Sequence, residues 1–387
     1  MYPIINLAID NCFASKRWTR PEEWMEVIRA LGLRYVECSA DTECDPLYLG
    51  EDYLRRWIAE VGEAGRKYGV TPANLYSGHG TYATLGLSHT DPEVRSRFLH
   101  AWLEKMTDTA AAVGAGLGFF CHAFPDAVLQ RPALYDSYLS ELTDNLGAVA
   151  SYAAARGAKP AAVEQMYSPH QVPWTIEGGF SLLREIFRRS GAPFYLTVDV
   201  GHQTGQRKFL RPTEAHLLEQ LRAWDEGSFV PELWVGPQSA VALFEDRSLP
   251  RGRRAREILD EMDRFPYLFA EERDGSPYEW LRRLGCYSPI VHLQQTDGLS
   301  SAHRPFTAAW NKTGIIEPCA VLGALAESYR CEAPAGMPPR VSEITLTLEI
   351  FTGTAAVNRA QLEEIRQSIA YWREAIPQDG LTLDRLV

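Results

Sequence analysis

F-Y-L-T-V-D-V-G-H, Phe194 to His202, is a short apolar run that ends in a carboxylate and an imidazole three residues apart. A run of this length followed by polar sequence reads as a buried strand, with Asp199 and His202 at its mouth. Seven other runs have the same form: I-I-N-L-A-I from Ile4, L-R-Y-V-E-C from Leu33, T-P-A-N-L-Y from Thr71, L-G-F-F-C from Leu117, A-A-V-E from Ala161, I-V-H-L-Q from Ile290 and I-T-L-T-L-E-I from Ile344. Amphipathic helical patterns lie between them, at residues 21–31, 51–68, 91–113, 135–156, 176–190, 318–329 and 358–376. The first and third open with Thr or Asp close before Pro-Glu, which is capping chemistry. Strands alternating with helices give a parallel sheet, and eight of them point to an α/β fold of the (β/α)₈ TIM-barrel type. A doubly wound open sheet would want a Gly-rich phosphate loop after its first strand, where this chain has D-N-C-F-A-S.

The expected organisation is one barrel domain over residues 1–387. One step breaks its rhythm, since ninety residues separate His202 from His292 where a βα connection needs about thirty. Residues 203–288 are therefore an insertion on the catalytic rim, with helix candidates at 213–224 and 253–265. A lid, a substrate-shaping wall and a subunit contact all fit its length.

Composition bounds the function. The 387 residues are 45% hydrophobic and 23% charged, an ordinary balance for a globular enzyme. A net charge of −11 argues against a nucleic-acid surface, which needs clustered Lys and Arg. Seven cysteines, an odd number without a C-x-x-C pair, read as reduced thiols. The N-terminus reaches Asp10 without a basic n-region or apolar h-region, and no stretch has the roughly 18 consecutive apolar residues of a membrane span. The expectation is a cytoplasmic protein with no nucleic-acid or membrane partner, compatible with a homo-oligomer.

In such a barrel chemistry gathers where strands end. Strand one ends in Asp10 and Asn11, strand two carries Glu37, strand three leads to His79 and strand four to His122. Glu164 ends strand five, Asp199 and His202 follow strand six, His292 lies on strand seven, and Glu349 ends strand eight. Charged groups this deep in apolar runs are costly unless paired or bound to an ion. Glu164, Asp199, His292 and Glu349 come from four consecutive strands and would face one centre. Three carboxylates and an imidazole suit a divalent metal such as Mn²⁺, with Mg²⁺ or Co²⁺ as alternatives, better than structural zinc.

This set resembles the sugar phosphate isomerase/epimerase branch of the xylose isomerase-like barrels, which includes ketose 3-epimerases and hydroxypyruvate isomerase. The branch has a Glu ending strand five, D-x-x-H after strand six, a His on strand seven and a Glu ending strand eight. The resemblance implies Glu164, Asp199, His292 and Glu349 as metal ligands, with Glu164 and Glu349 also exchanging protons on opposite faces of a sugar or sugar phosphate. A metal-polarised carbonyl would stabilise the enediolate formed on deprotonation. His202 would hold substrate hydroxyls. Glu37, His79 and His122 are further substrate-contact candidates, each with a structural role as the alternative. Trp174 is placed to stack on the sugar's apolar face, and His303 and Arg304 to hold a phosphate.

The pattern departs from short ketose epimerases at Gly298, six residues after His292, where they have a substrate-contacting Arg or similar group. The expected activity is a ketose 3-epimerase. Aldose–ketose isomerisation on the same site is the alternative, and a metal-dependent phosphodiesterase or a glycoside lyase subunit represents other classes.

Overall fold

The computed structural model describes residues 2–78, 84–228, 233–351, 353 and 355–387. Its strands are β1 (Ile4–Asp10), β2 (Tyr35–Ser39), β3 (Thr71–Tyr76), β4 (Gly116–Phe119), β5 (Ala162–Glu164), β6 (Tyr195–Asp199), β7 (Ile290–Leu293) and β8 (Glu343–Leu348). Each pairs in parallel with the next, and β1 pairs with both β2 and β8, which closes the (β/α)₈ barrel. A short β9 (Leu381–Thr382) lies antiparallel to Ile4 and Ile5, where β1 has not yet met β2, whose pairing starts at Ala8. Two residues carry no periodicity, so sequence patterning does not reveal this strand.

Strand alternation sorts the side chains into two layers. Ile5, Leu7 and Ile9 join one apolar layer with Trp24, Ile28, Ile365 and Trp372 of the surrounding helices. Burying each such side chain contributes about 1.5–3 kcal/mol. The alternate positions face the barrel axis and are mostly polar, among them Asn6, Asp10, Glu37, Asn74, Thr197, His292 and Thr347, all buried. Barrel interiors are usually filled by branched apolar side chains, so this lining marks a functional interior.

The helix read as continuous over 91–113 is capped as expected, with Asp91 Oδ1 accepting from the Glu93 amide at 2.8 Å. It is interrupted, however, by a π-helical segment at Phe98–Leu103 between Pro92–Arg97 and Glu104–Ala112. Between β6 and β7 the chain forms helices at Gln203–Gln206, Glu214–Asp225, Gln238–Glu245, Arg251–Met262 and Pro277–Leu284. The last is the barrel's own covering helix, since Leu284 lies against the backbone of Gly179 in the helix Ile176–Ser190. The three before it are tied together by buried Arg254, which donates to Phe244 O at 3.0 Å and to Asp225 Oδ1 at 2.6 Å. This helical group docks on the barrel through Tyr267, whose ring stacks on Tyr135 at 3.9 Å and whose hydroxyl donates to Leu129 O.

Candidate metal and substrate site

Parallel register brings the strand ends to one level. Asp199 lies opposite His292, Asp10 opposite Glu37, and the Glu349 amide donates to Leu293 O at 3.0 Å, one residue past β8. One ligand atom from each of Glu164, Asp199, His292 and Glu349 lies within 4.8 Å of the others, and all four residues are buried. His292 Nδ1 stands 2.7 Å from Glu164 Oε1 and 3.4 Å from Glu349 Oε2. Glu349 Oε2 is buried without a hydrogen-bond donor among the described residues. A buried acceptor left in that state is costly, and a cation among these three carboxylates would satisfy it. The donor set fits a hard or borderline divalent ion.

Outer contacts fix the orientation of each group. His292 Nε2 is 3.0 Å from Glu37 Oε2, and Glu37 Oε1 accepts from Asn74 Nδ2 at 2.7 Å. The Glu37 contact turns Nδ1 toward the other three ligands, an arrangement metal-ligating histidines ordinarily need. Tyr76 donates its hydroxyl to Glu164 Oε2 and sets its ring edge-on to His292 at 4.7 Å. Asn74 and Tyr76 find room because β4 presents glycine, as a Cβ on Gly118 would lie 2.8 Å from Asn74 Nδ2 and 2.9 Å from Tyr76 Cδ2. Asp199 Oδ1 accepts from the amides of Gly201 and His202 at 2.6 and 3.0 Å and from Gln294 Nε2 at 2.9 Å.

Burial and crowding set the charges. Burial, reinforced by Glu37 and Glu349, pushes the Asp10 carboxyl up to about 8. Burial opposes protonation of His292, but Glu349, Glu37 and Glu164 outweigh it and hold the imidazolium well above its ordinary value. Likewise His303, despite burial, is raised to about 9 by Glu349 and Asp199. Burial opposes ionisation of Asp199, yet His202, His303 and His292 hold it down at about 2. His292 would have to give up its Nδ1 proton to serve as a ligand to a cation.

The remaining sequence candidates fall in different places. His202 is buried beside the cluster, with Nδ1 2.8 Å from Gln165 O and Nε2 3.9 Å from Asp199 Oδ1. Glu37 faces His292 itself and is fully buried. His122 has a left-handed backbone, φ 62°, and its ring packs on Phe98 and Phe120 at 4.8 and 4.7 Å. Trp174 is buried edge-on to Phe209 at 5.9 Å and lines a cavity of about 440 Å³ with Tyr135 and Tyr267. Arg304 is paired with Asp297 at 2.8 Å and lies over the Trp310 ring at 4.4 Å. His79 lies outside the described residues.

Tyr76, Asn74 and Gln294 reach the site without having been singled out from the sequence, and His303, read there with Arg304 as a phosphate contact, stands instead beside Glu349. Their parity was the available signal, because Asn74 and Tyr76 alternate with Leu75, and Gln294 follows His292 by two. His303 comes from a loop at φ 46°, stacks on Phe351 at 4.2 Å and stands 3.4 Å from Glu349 Oε2; no pattern places it there.

Comparison with known proteins agrees with this fold. Residues 25–225 match the model of the xylose isomerase-like TIM barrel family. A D-erythrulose 1-phosphate 3-epimerase from Brucella abortus is 32% identical over 115 residues, which is 30% of this chain and 34% of that protein. The match thus spans about a third of the curated relative's length. A putative xylose isomerase from Rhodospirillum rubrum superposes with TM-score 0.63 at 20% identity, covering 96% of this chain and 99% of the other. An L-ribulose 3-epimerase gives TM-score 0.52 at 14% identity over 99% and 96% of the two chains. These two likenesses bear on the fold alone. With more than half its length matched by the family model and its barrel closed as in those structures, the chain belongs to the xylose isomerase-like TIM barrel family.

Proposed function

We propose that the protein is a divalent-metal-dependent ketose 3-epimerase acting on a small sugar or sugar phosphate. The observation that carries this is the pair of carboxylates, Glu164 and Glu349, at 2.7 and 3.4 Å from His292 Nδ1, one of them with a buried oxygen that makes no well-formed hydrogen bond among the described residues. The sequence relative that acts on D-erythrulose 1-phosphate supports the same reaction class.

Glu164, Asp199, His292 and Glu349 would hold the ion, with Mn²⁺ the preferred metal on the donor set. When bound, a divalent cation polarises a carbonyl and stabilises charge developing on its oxygen. Two carboxylates then suffice for the proton transfers: one takes the proton next to the carbonyl and the other delivers one to the opposite face. Tyr76, donating to Glu164 Oε2, orients Glu164 for that transfer. His202, anchored on Gln165 O, and His303, stacked on Phe351, are the nearby groups suited to substrate hydroxyls. Glu37 is a positioning residue for His292 rather than a substrate contact.

Nucleic-acid phosphodiesterase chemistry on this barrel is disfavoured by the net charge of −11. No helix among the described residues is long and apolar enough to cross a membrane. The test is to incubate Mn²⁺-loaded protein with D-erythrulose 1-phosphate and other short ketoses and resolve the products by stereochemistry. The C3 epimer is expected, and its formation should stop on chelation. An aldose product would replace this reading with isomerisation, and no product from any ketose would refute it.

A further inference from the structure

The loops after β6 and β7 and the insertion border a second, open cavity of about 710 Å³. Among the described residues its lining carries Arg207, Lys208, Arg211 and His216 and no carboxylate, in a chain of net charge −11. It opens beside the mouth, because Thr204 in its wall is two residues past His202 and Gly298 is six past His292. The wall is held in place. Arg207 donates Nε to Gly275 O and Nη1 to Gly298 O, both at 2.9 Å, bridging insertion and β7 loop. That loop returns to the metal cluster through Gln294, which donates to Asp199. Gly298, at φ 81°, takes this close approach because a Cβ there would meet Arg207 Nη1 at 2.9 Å. The guanidinium of Arg207 thus lies directly against Gly298.

We propose that this cavity binds the phosphate group of a ketose phosphate whose carbonyl end lies at the Glu164, Asp199, His292 and Glu349 cluster. The assignment rests on the epimerase reading and narrows its substrate to a phosphorylated ketose. Lys208 is exposed and makes no ion pair among the described residues, so its charge is available to an anion. Arg207 has spent two of its N–H groups on carbonyls and keeps the rest of its fork, whose geometry matches phosphate oxygens. Arg211 contributes less, being paired with Asp263 at 2.6 Å. The helix Glu214–Asp225 starts at the cavity edge, where Thr213 caps His216 N, and adds its positive end. Trp234, fixed by its indole N–H on Leu268 O at 2.8 Å, forms an apolar side. Arg304, a sequence candidate for the phosphate, has its guanidinium committed to Asp297 and Trp310.

The experiment compares D-erythrulose 1-phosphate with D-erythrulose on metal-loaded wild type, Lys208→Gln and the Arg207→Gln/Lys208→Gln double variant, reading the ratio of the two kcat/KM values. A fall of about tenfold in the double variant, carried by KM for the phosphorylated ketose, is expected, with a smaller fall in Lys208→Gln, which keeps the Arg207 ties. A parallel titration on Mn²⁺-free, Mg²⁺-loaded protein follows ³¹P line broadening of inorganic phosphate, which needs no turnover; the broadening should weaken in both variants. An unchanged ratio overturns the proposal, and if phosphate broadening is nevertheless lost, the cavity is a site for a free anion instead. Absence of turnover with both ketoses refutes the epimerase reading; unchanged broadening then overturns the cavity as well, whereas lost broadening upholds it as a phosphate site.

Discussion

His292 has both ring nitrogens on carboxylates, Glu164 on one side and Glu37 on the other, and the two contacts do different work. The Glu164 side is where an ion would sit; the Glu37 side keeps the ring from turning, with Asn74 holding Glu37 in turn. Glu37→Gln should therefore weaken Mn²⁺ binding by about 10–100-fold, measured calorimetrically, and an unchanged affinity would show that the contact orients nothing. Asp10 offers a second test at this scale. Its carboxyl, raised from 3.8 to about 8 chiefly by burial, stays protonated in the folded state over a range where the unfolded chain has lost its proton. Metal-free protein should then lose stability as pH climbs from about 4 to about 8. Asp10→Asn, which can keep the acceptor for the Cys12 amide, should match wild type near the lower value and exceed it near the upper by on the order of 1–3 kcal/mol. Urea denaturation at a series of pH values measures this; a difference that does not change with pH contradicts it.

Among the elements, β4 shows most plainly how a strand is shaped by its neighbours' side chains. Gly118→Ala would press a methyl group against Asn74 and Tyr76, both pinned by carboxylates, so neither can give way. The expected cost is about 1–3 kcal/mol in denaturant unfolding, and a neutral result would mean that the inner layer is looser than its hydrogen bonds indicate. Sequence makes the strands legible because each apolar run has the right length and a polar end, and every expected start lies within two residues of the observed one. The convergence of Glu164, Asp199, His292 and Glu349 is legible for the same reason, since the four residues lie at or near strand ends. The π-helical segment at Phe98–Leu103 is not, because its apolar spacing continues that of the flanking helix. Nor are His303 and Arg207, whose positions depend on loop paths that no period encodes.

The whole molecule combines a barrel with a polar axis and a helical addition on its rim. The outer apolar layer, with Trp24, Trp280 and Trp372 fully buried, supplies the stability against which charged groups can be held in the interior. That cost makes sense if the interior groups converge on an ion and a substrate. The most direct test of this account is deuterium incorporation from D₂O, followed by NMR, with Mn²⁺-free Mg²⁺-loaded protein to avoid paramagnetic broadening and with D-erythrulose 1-phosphate as substrate. Deuterium should appear at C3, vanish on chelation, and be lost in both Glu164→Gln and Glu349→Gln, each of which should fold and unfold as wild type does. Exchange that survives in either variant, or appears at C1 instead of C3, would contradict the proposed roles of the two carboxylates.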